Sequence, residues 1–426
     1  MTDIVIRDMA DPVMTPGLMA AREGPADFPD YLTAEQVIER AMAETGLREF
    51  DDDGAPGLFE RLSVTLQALY EDKGLTRGGR ITIVGNAVRA LVNRLRVDDL
   101  VRRHPEIRDI AIERPIFIAG LPRSGTTHLV NWLARDDRLN SLTLWESEEP
   151  VPAVQIAPGD ADPRPGDADP RIARSAEVWA TFGALLPHMA AMHEMTATGI
   201  HEDNELLFMD LACYSWEFQA RLPRWIDHYF AHDRTGSYAY EKKVLQVLSW
   251  YRGETGRRRW LLKSPQHMEN LTAIKAVFPD ATMVITHRDP VDVLRSLTTM
   301  LGYSDRIRRQ PTDPVGLARH WIDRIERLLR ACVATREVWA PDQSIDVLFH
   351  DYMADQPGMA RAIYARAGLP LTGEAQARLN GYLAENPRHA AGRVIYDLEG
   401  TFGVDLADLR RRFAFYYDRF PVLQEA

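Results

Sequence analysis

Apolar positions early in the chain recur at helical spacing: Leu58, Leu62, Leu66 and Leu69 share one face, as do Val84, Val88, Leu91 and Leu95. The pattern predicts amphipathic helices over residues 31–113. It then changes, because Ile116-Phe117-Ile118-Ala119-Gly120 is a short unalternating apolar run that breaks into a Gly/Ser/Thr loop and opens a helix through Leu129 and Leu133. Three more such runs, Trp260-Leu261-Leu262, Met283-Val284-Ile285 and residues 345–349, read as strands buried on both faces. The first two are joined by a helix whose apolar face carries His267, Leu271, Ile274 and Phe278. Strand-helix-strand repetition predicts an α/β fold, a parallel sheet flanked by helices, with ligands at the carboxyl ends of the strands. Residues 157–167, dense in Pro, Gly and Asp, read as a solvated loop. Residues 172–251 read as a helical insertion with Val244, Val247, Leu248 and Tyr251 on one stripe.

Composition narrows the choice of partner. A chain of 426 residues, 45% hydrophobic and 27% charged, can bury a large core. Its formal net charge of -11 argues against nucleic acid, so an anionic ligand must be drawn by a local basic pocket. The cysteines, Cys213 and Cys332, lack metal-type spacing and fit a reducing compartment. No apolar run approaches the roughly 18–20 residues of a membrane span, and the polar N-terminus lacks a signal-peptide core. The expectation is a cytoplasmic protein with no transmembrane segment.

The chemistry concentrates at the predicted strand ends. Gly120 and Gly125, with four residues between, have the spacing of a phosphate-binding loop, but Thr126 stands where a nucleotide triphosphatase has its lysine. Only Arg123 supplies a fixed positive charge inside the loop. The second long run ends in Lys263-Ser264-Pro265 and the third in His287-Arg288-Asp289-Pro290, followed by a helix carrying Ser296. Three strands thus deliver Arg123, Lys263 and Arg288 to one edge of one sheet, and a polyanionic ligand is the simplest reason for such a cluster.

Three blocks carry a family resemblance: Pro122-Arg123-Ser124-Gly125-Thr126-Thr127, the segment Trp260-Leu261-Leu262-Lys263-Ser264-Pro265-Gln266-His267, and the block from Phe278 through Thr286-His287-Arg288-Asp289-Pro290 to Ser296. In order and spacing they resemble the sulfotransferases that use 3'-phosphoadenylyl sulfate (PAPS), particularly the bacterial branch, over about residues 32–413. The resemblance implies a P-loop NTPase-like sulfotransferase fold. It divides the chain into an N-terminal tail (1–30), a helical region packing on the core (31–113) and a catalytic domain (114–426). That domain includes a loop plus helical insertion (151–255) and a nucleotide-covering tail (385–426).

The resemblance also implies roles. Arg123, Ser124, Gly125, Thr126 and Thr127 hold the 5'-phosphosulfate, Arg288 and Ser296 hold the 3'-phosphate, and Lys263 neutralises the leaving oxygen as the S–O bond breaks. Glu146, in Leu144-Trp145-Glu146-Ser147, stands where some relatives have a glutamate base, and Trp145 is expected to desolvate it and raise its pKa. His267 is the competing base. Arg388 and Arg393 lie in a basic segment resembling the family's mobile nucleotide-covering loop. The implied reaction passes a sulfuryl group to a small-molecule hydroxyl acceptor, leaving adenosine 3',5'-bisphosphate. It requires no metal, because fixed cations do what Mg²⁺ does in phosphoryl transfer. Aromatic and Met residues of the insertion (Trp179, Phe182, Met189, Met192, Phe208, Tyr214, Trp216, Phe218) favour an apolar acceptor. A P-loop NTPase or kinase, and a noncatalytic nucleotide-binding protein, are the rival readings.

Overall fold

The computed structural model describes residues 3–51, 57–153, 169–253, 258–386 and 393–425. Strands β1 (Asp3–Val5) and β7 (Arg393–Ile395) form a small parallel pair. Among the described residues, the main sheet contains β2 (Ile116–Gly120), β3 (Leu139–Asn140), β4 (Arg259–Ser264), β5 (Thr282–His287) and β6 (Ser344–Leu348). All are parallel, in the order β3-β4-β2-β5-β6. The fold is α/β, with helices on both faces of this sheet. The four expected runs are β2, β4, β5 and β6. Strand β3 is two residues long at the sheet edge, too short to leave a pattern.

Alternation along the strands sorts the sheet into two cores. Phe117, Ala119, Leu262, Met283 and Ile285 enter a large core shared with the N-terminal helices and the insertion. Ile116, Ile118, Leu261 and Val284 face the opposite way, onto the helix Thr126–Leu133 and the helices Gln356–Ala367 and Gly373–Glu385. The helix Leu58–Glu71 buries Leu58, Leu62, Leu66 and Leu69, and the long helix Arg77–Arg103 buries Val84, Val88, Leu91 and Leu95. The segment expected as an N-terminal tail is built in: β1 pairs with β7, and the helix Pro16–Glu23 crosses the long helix so closely that a Cβ on Gly78 would lie 1.9 Å from the Ala21 carbonyl. That pairing joins backbones far apart in sequence and leaves no compositional trace.

The insertion runs through the helices Pro170–Leu185, Met189–Met192, Asn204–Phe208, Pro223–Ala231 and Thr235–Tyr251. A buried charge cluster ties it to the N-terminal helices. Asp210 accepts from Arg61 at 2.6 Å, Arg94 at 2.7 Å and Ser237 at 2.6 Å, with no exposed surface of its own. Among the described residues no helix is long and apolar enough to cross a membrane. Removing the acid that two buried guanidiniums share takes from both their shortest ion pair, with Asp98 at 3.7 Å left to Arg94. Asp210→Ala is therefore expected to cost about 3–5 kcal/mol in denaturant unfolding, and a loss below about 1 kcal/mol would contradict the role assigned to this cluster.

Candidate active site

The loop after β2 is shaped by two close approaches. A Cβ on Gly120 would stand 1.9 Å from the Thr286 hydroxyl and 2.8 Å from Thr126, so only glycine lets β5 and the next helix close around the strand end. Gly125, at φ 83°, starts the helix Thr126–Leu133 with no side chain capping its amides. Those leading N–H groups have no intrahelical acceptor and carry the positive end of the helix dipole. Arg123 is left-handed at φ 67°, unusual outside glycine. Two bonds hold it there: its Nε donates to Ser296 Oγ at 2.8 Å, and its carbonyl accepts from Arg288 Nη1 at 2.6 Å.

One loop residue differs from expectation. The Ser124 hydroxyl donates to the Leu121 carbonyl at 2.6 Å and meets Thr286 Oγ1 at 2.9 Å, while its amide bonds the same carbonyl at 3.1 Å. Ser124 therefore braces the loop from beneath and offers no side-chain donor to a ligand. The open donors are the helix-start amides and the exposed Thr127 hydroxyl.

Strand register brings Lys263 to this point. Lys263 pairs with Ile118 and shares the Leu261 face, the one carrying the helix Thr126–Leu133. Its side chain is 2% exposed and its Nζ lies 3.3 Å from Thr127 Oγ1. The same ammonium donates to Glu202 Oε1 at 2.6 Å. Arg288, at the end of β5, stacks over Phe349 and is held by Asp292 and by Glu425, the latter through two bonds of 2.7 and 2.8 Å. Arg123, Lys263, Arg288 and Ser296 thus surround one uncapped helix start, and both Lys263 and Arg288 already hold a carboxylate.

The pattern of the sulfotransferase family matches residues 115–373, more than half of the chain and all of the main sheet. This chain belongs to the sulfotransferase family. Its similarity to solved structures extends further: it is 28% identical to sulfotransferase STF9 from Mycobacterium avium, covering 94% of this chain and 100% of that one with a TM-score of 0.81. It is also 28% identical to sulfotransferase STF1 from Mycobacterium tuberculosis H37Rv, covering 91% and 100% with a TM-score of 0.77. No curated protein matches it.

In this sulfotransferase both expected bases are engaged by neighbouring side chains. Glu146 closes a capping box, taking the Thr143 hydroxyl at 2.6 Å, and its two oxygens accept from Arg252 at 2.6 and 3.1 Å. Burial pushes its carboxyl up, but Arg252 and Thr143 outweigh that and hold it below the ordinary range, opposite to the rise expected from Trp145. His267 is fully buried, with Nδ1 on the Tyr238 hydroxyl at 3.0 Å and Nε2 on Asp203 at 2.9 Å. Asp203 in turn faces Glu241, whose carboxyl is pushed far up by burial and by the Asp203 charge. His267 thus holds Asp203, the residue after Glu202. Arg393 lies exposed on β7, and Arg388 lies outside the described residues.

The residues missed in the sequence lie in the stretch His193 to Glu202. Burial, Arg123 and Lys263 push His193 down to about 3. His201 is held well below its usual value by burial, Lys263 and His193. Both imidazoles are therefore neutral neighbours of the cation cluster. Their only sequence signal is two histidines beside acids in a segment with no strand end to announce it. For Glu146, the ion-pair role has a direct test. Glu146→Gln should cost roughly 1–3 kcal/mol at pH 7. Because the native carboxyl is lowered from 4.5, that difference should be fully present above this value and vanish as pH falls through the lowered native one. Equal denaturant stability of the two proteins at pH 7 would contradict it.

Proposed function

We propose that this sulfotransferase transfers a sulfuryl group from PAPS to the hydroxyl of a small acceptor, leaving adenosine 3',5'-bisphosphate. The observation that carries the reading is the convergence of Lys263, Arg123, Arg288 and Ser296 on one uncapped helix start, in a chain whose net charge is -11. Burying cations there is costly unless anions accompany them. The loop has no Walker lysine, which speaks against a nucleoside triphosphate as the donor.

In this reading the Gly125, Thr126 and Thr127 amides, with Arg123, bind the 5'-phosphosulfate. Arg288 and Ser296 take the 3'-phosphate, and Arg393 contributes from β7, which adjoins the helix Met189–Met192. Lys263 stabilises negative charge on the bridging oxygen as the S–O bond breaks. The base is Glu202, the carboxylate 2.6 Å from Lys263 Nζ. When Lys263 turns to the donor, Glu202 is released to take the acceptor proton as the acceptor oxygen attacks sulfur. The flanking neutral imidazoles of His193 and His201 suit an uncharged alcohol or phenol. Three of the six aromatic residues named for the acceptor, Phe208, Tyr214 and Trp216, are buried, and Phe208 stacks on Trp216 at 4.1 Å. The two cysteines are buried and unpaired, in keeping with a cytoplasmic setting.

A thermal-shift comparison tests the donor before any acceptor is known. Saturating adenosine 3',5'-bisphosphate should raise Tm by several degrees without Mg²⁺, whereas Mg·ATP should not. Stabilisation by Mg·ATP alone, strictly dependent on Mg²⁺, would favour the NTPase reading. With an acceptor in hand, Lys263→Met and Glu202→Gln should each lower kcat about 100-fold or more.

A further inference from the structure

The guanidinium of Arg288 has five N–H donors, and the protein itself uses four of them. Nε and one Nη2 proton go to the two oxygens of Glu425 at 2.7 and 2.8 Å. The other Nη2 proton goes to Asp292. One Nη1 proton goes to the Arg123 carbonyl at 2.6 Å. The planar fork that would grip a phosphate bidentately is therefore occupied by a carboxylate of the same chain.

That carboxylate arrives by an unusual route. Residues 421–425 form no helix or strand; Pro421, Leu423 and Gln424 are exposed, Val422 packs half-buried on the core, and the polar bonds of the segment's end are made by Glu425. Besides the paired side chain, the Glu425 amide donates to Asp289 Oδ2 at 2.8 Å and its carbonyl accepts from Arg410 at 2.9 Å. Asp289 is itself fixed by Tyr417 at 2.6 Å. Asp292 and Glu425 crowd one guanidinium, and burial together with Glu425 pushes the Asp292 carboxyl up. An anion-binding arginine held by two acids, one of them on an exposed segment, can exchange that acid for an incoming dianion with little disturbance to the core.

We propose that Glu425 is an internal competitor for the 3'-phosphate subsite: its carboxylate occupies Arg288 until a 3'-phosphorylated nucleotide displaces it, and re-forms the pair as the product leaves. The proposal rests on the reading of Arg288 as the 3'-phosphate arginine. Its consequence is selective, since a nucleotide lacking that phosphate leaves the Glu425 pair intact and gains nothing from its removal. The segment thereby weakens retention of the bisphosphate product without weakening contacts at the 5' end.

Isothermal titration of the full chain separates the two ideas. Glu425→Gln is expected to bind adenosine 3',5'-bisphosphate about three- to tenfold more tightly than the unsubstituted protein, as expected for loss of a partly exposed ion pair in competition with the ligand. Adenosine 5'-monophosphate should bind both proteins equally. A bisphosphate affinity unchanged by the substitution, or a parallel gain for the monophosphate, overturns the competitor proposal while leaving the donor reading intact. If neither protein prefers the bisphosphate over the monophosphate, the reading of Arg288 falls and the proposal falls with it. Asp292→Asn serves as a second variant: it removes the other acid on Arg288 and should likewise tighten the bisphosphate and not the monophosphate, with the double variant departing from additivity because both acids share one guanidinium.

Discussion

Positive charge at the carboxyl ends of a buried parallel sheet is the constraint around which the rest of this molecule is arranged. Lys263 is 2% exposed and rises from a strand with apolar neighbours, so its ammonium must be accompanied by an anion. The protein provides one from outside the sheet: the insertion delivers Glu202 to Lys263, and the C-terminal segment delivers Glu425 to Arg288. Each of these acids needs its own support. Glu202 is followed by Asp203, which is pinned to His267 below β4, and the insertion beyond it is anchored through Asp210 to Arg61 and Arg94 of the N-terminal helices. The N-terminal helices thus brace the insertion that carries Glu202.

Binding at such a site is an exchange of partners. The cost of desolvating the cations has already been met by the fold, and an incoming phosphate or sulfate substitutes for carboxylates held in place by a few bonds. In the proposed reaction the same exchange turns Glu202 from a counter-ion into a base, so donor binding and base activation are one event. The neutral state of His193 and His201 follows from the same field: cations nearby oppose protonation, and burial reinforces them.

The sheet was legible because strands buried on both faces leave unbroken apolar runs, and β2, β4, β5 and β6 each have one. The loop and the positions of the cations were legible because strand ends in such a sheet are where chemistry collects, and Arg123, Lys263 and Arg288 each come within three residues of the end of a run. The base was not. Glu146 and His267 stand near family motifs in sequence, yet Arg252 and Thr143 claim the first, and Tyr238 and Asp203 the second. Glu202 and Glu425 carry no local pattern at all, because their significance lies in long-range ion pairs to residues 61 and 137 positions away. Ser124 shows the limit of motif reading in another way: it occupies the right position but turns its hydroxyl into the loop.

The most direct measurement is a crystal structure of the protein with adenosine 3',5'-bisphosphate. The account predicts the 5'-phosphate on the Gly125, Thr126 and Thr127 amides beside Lys263, the 3'-phosphate on Arg288 and Ser296, and both Glu202 and Glu425 withdrawn from the cations they hold here. A nucleotide bound elsewhere, or one bound at the loop with the Lys263–Glu202 and Arg288–Glu425 pairs intact, would contradict it.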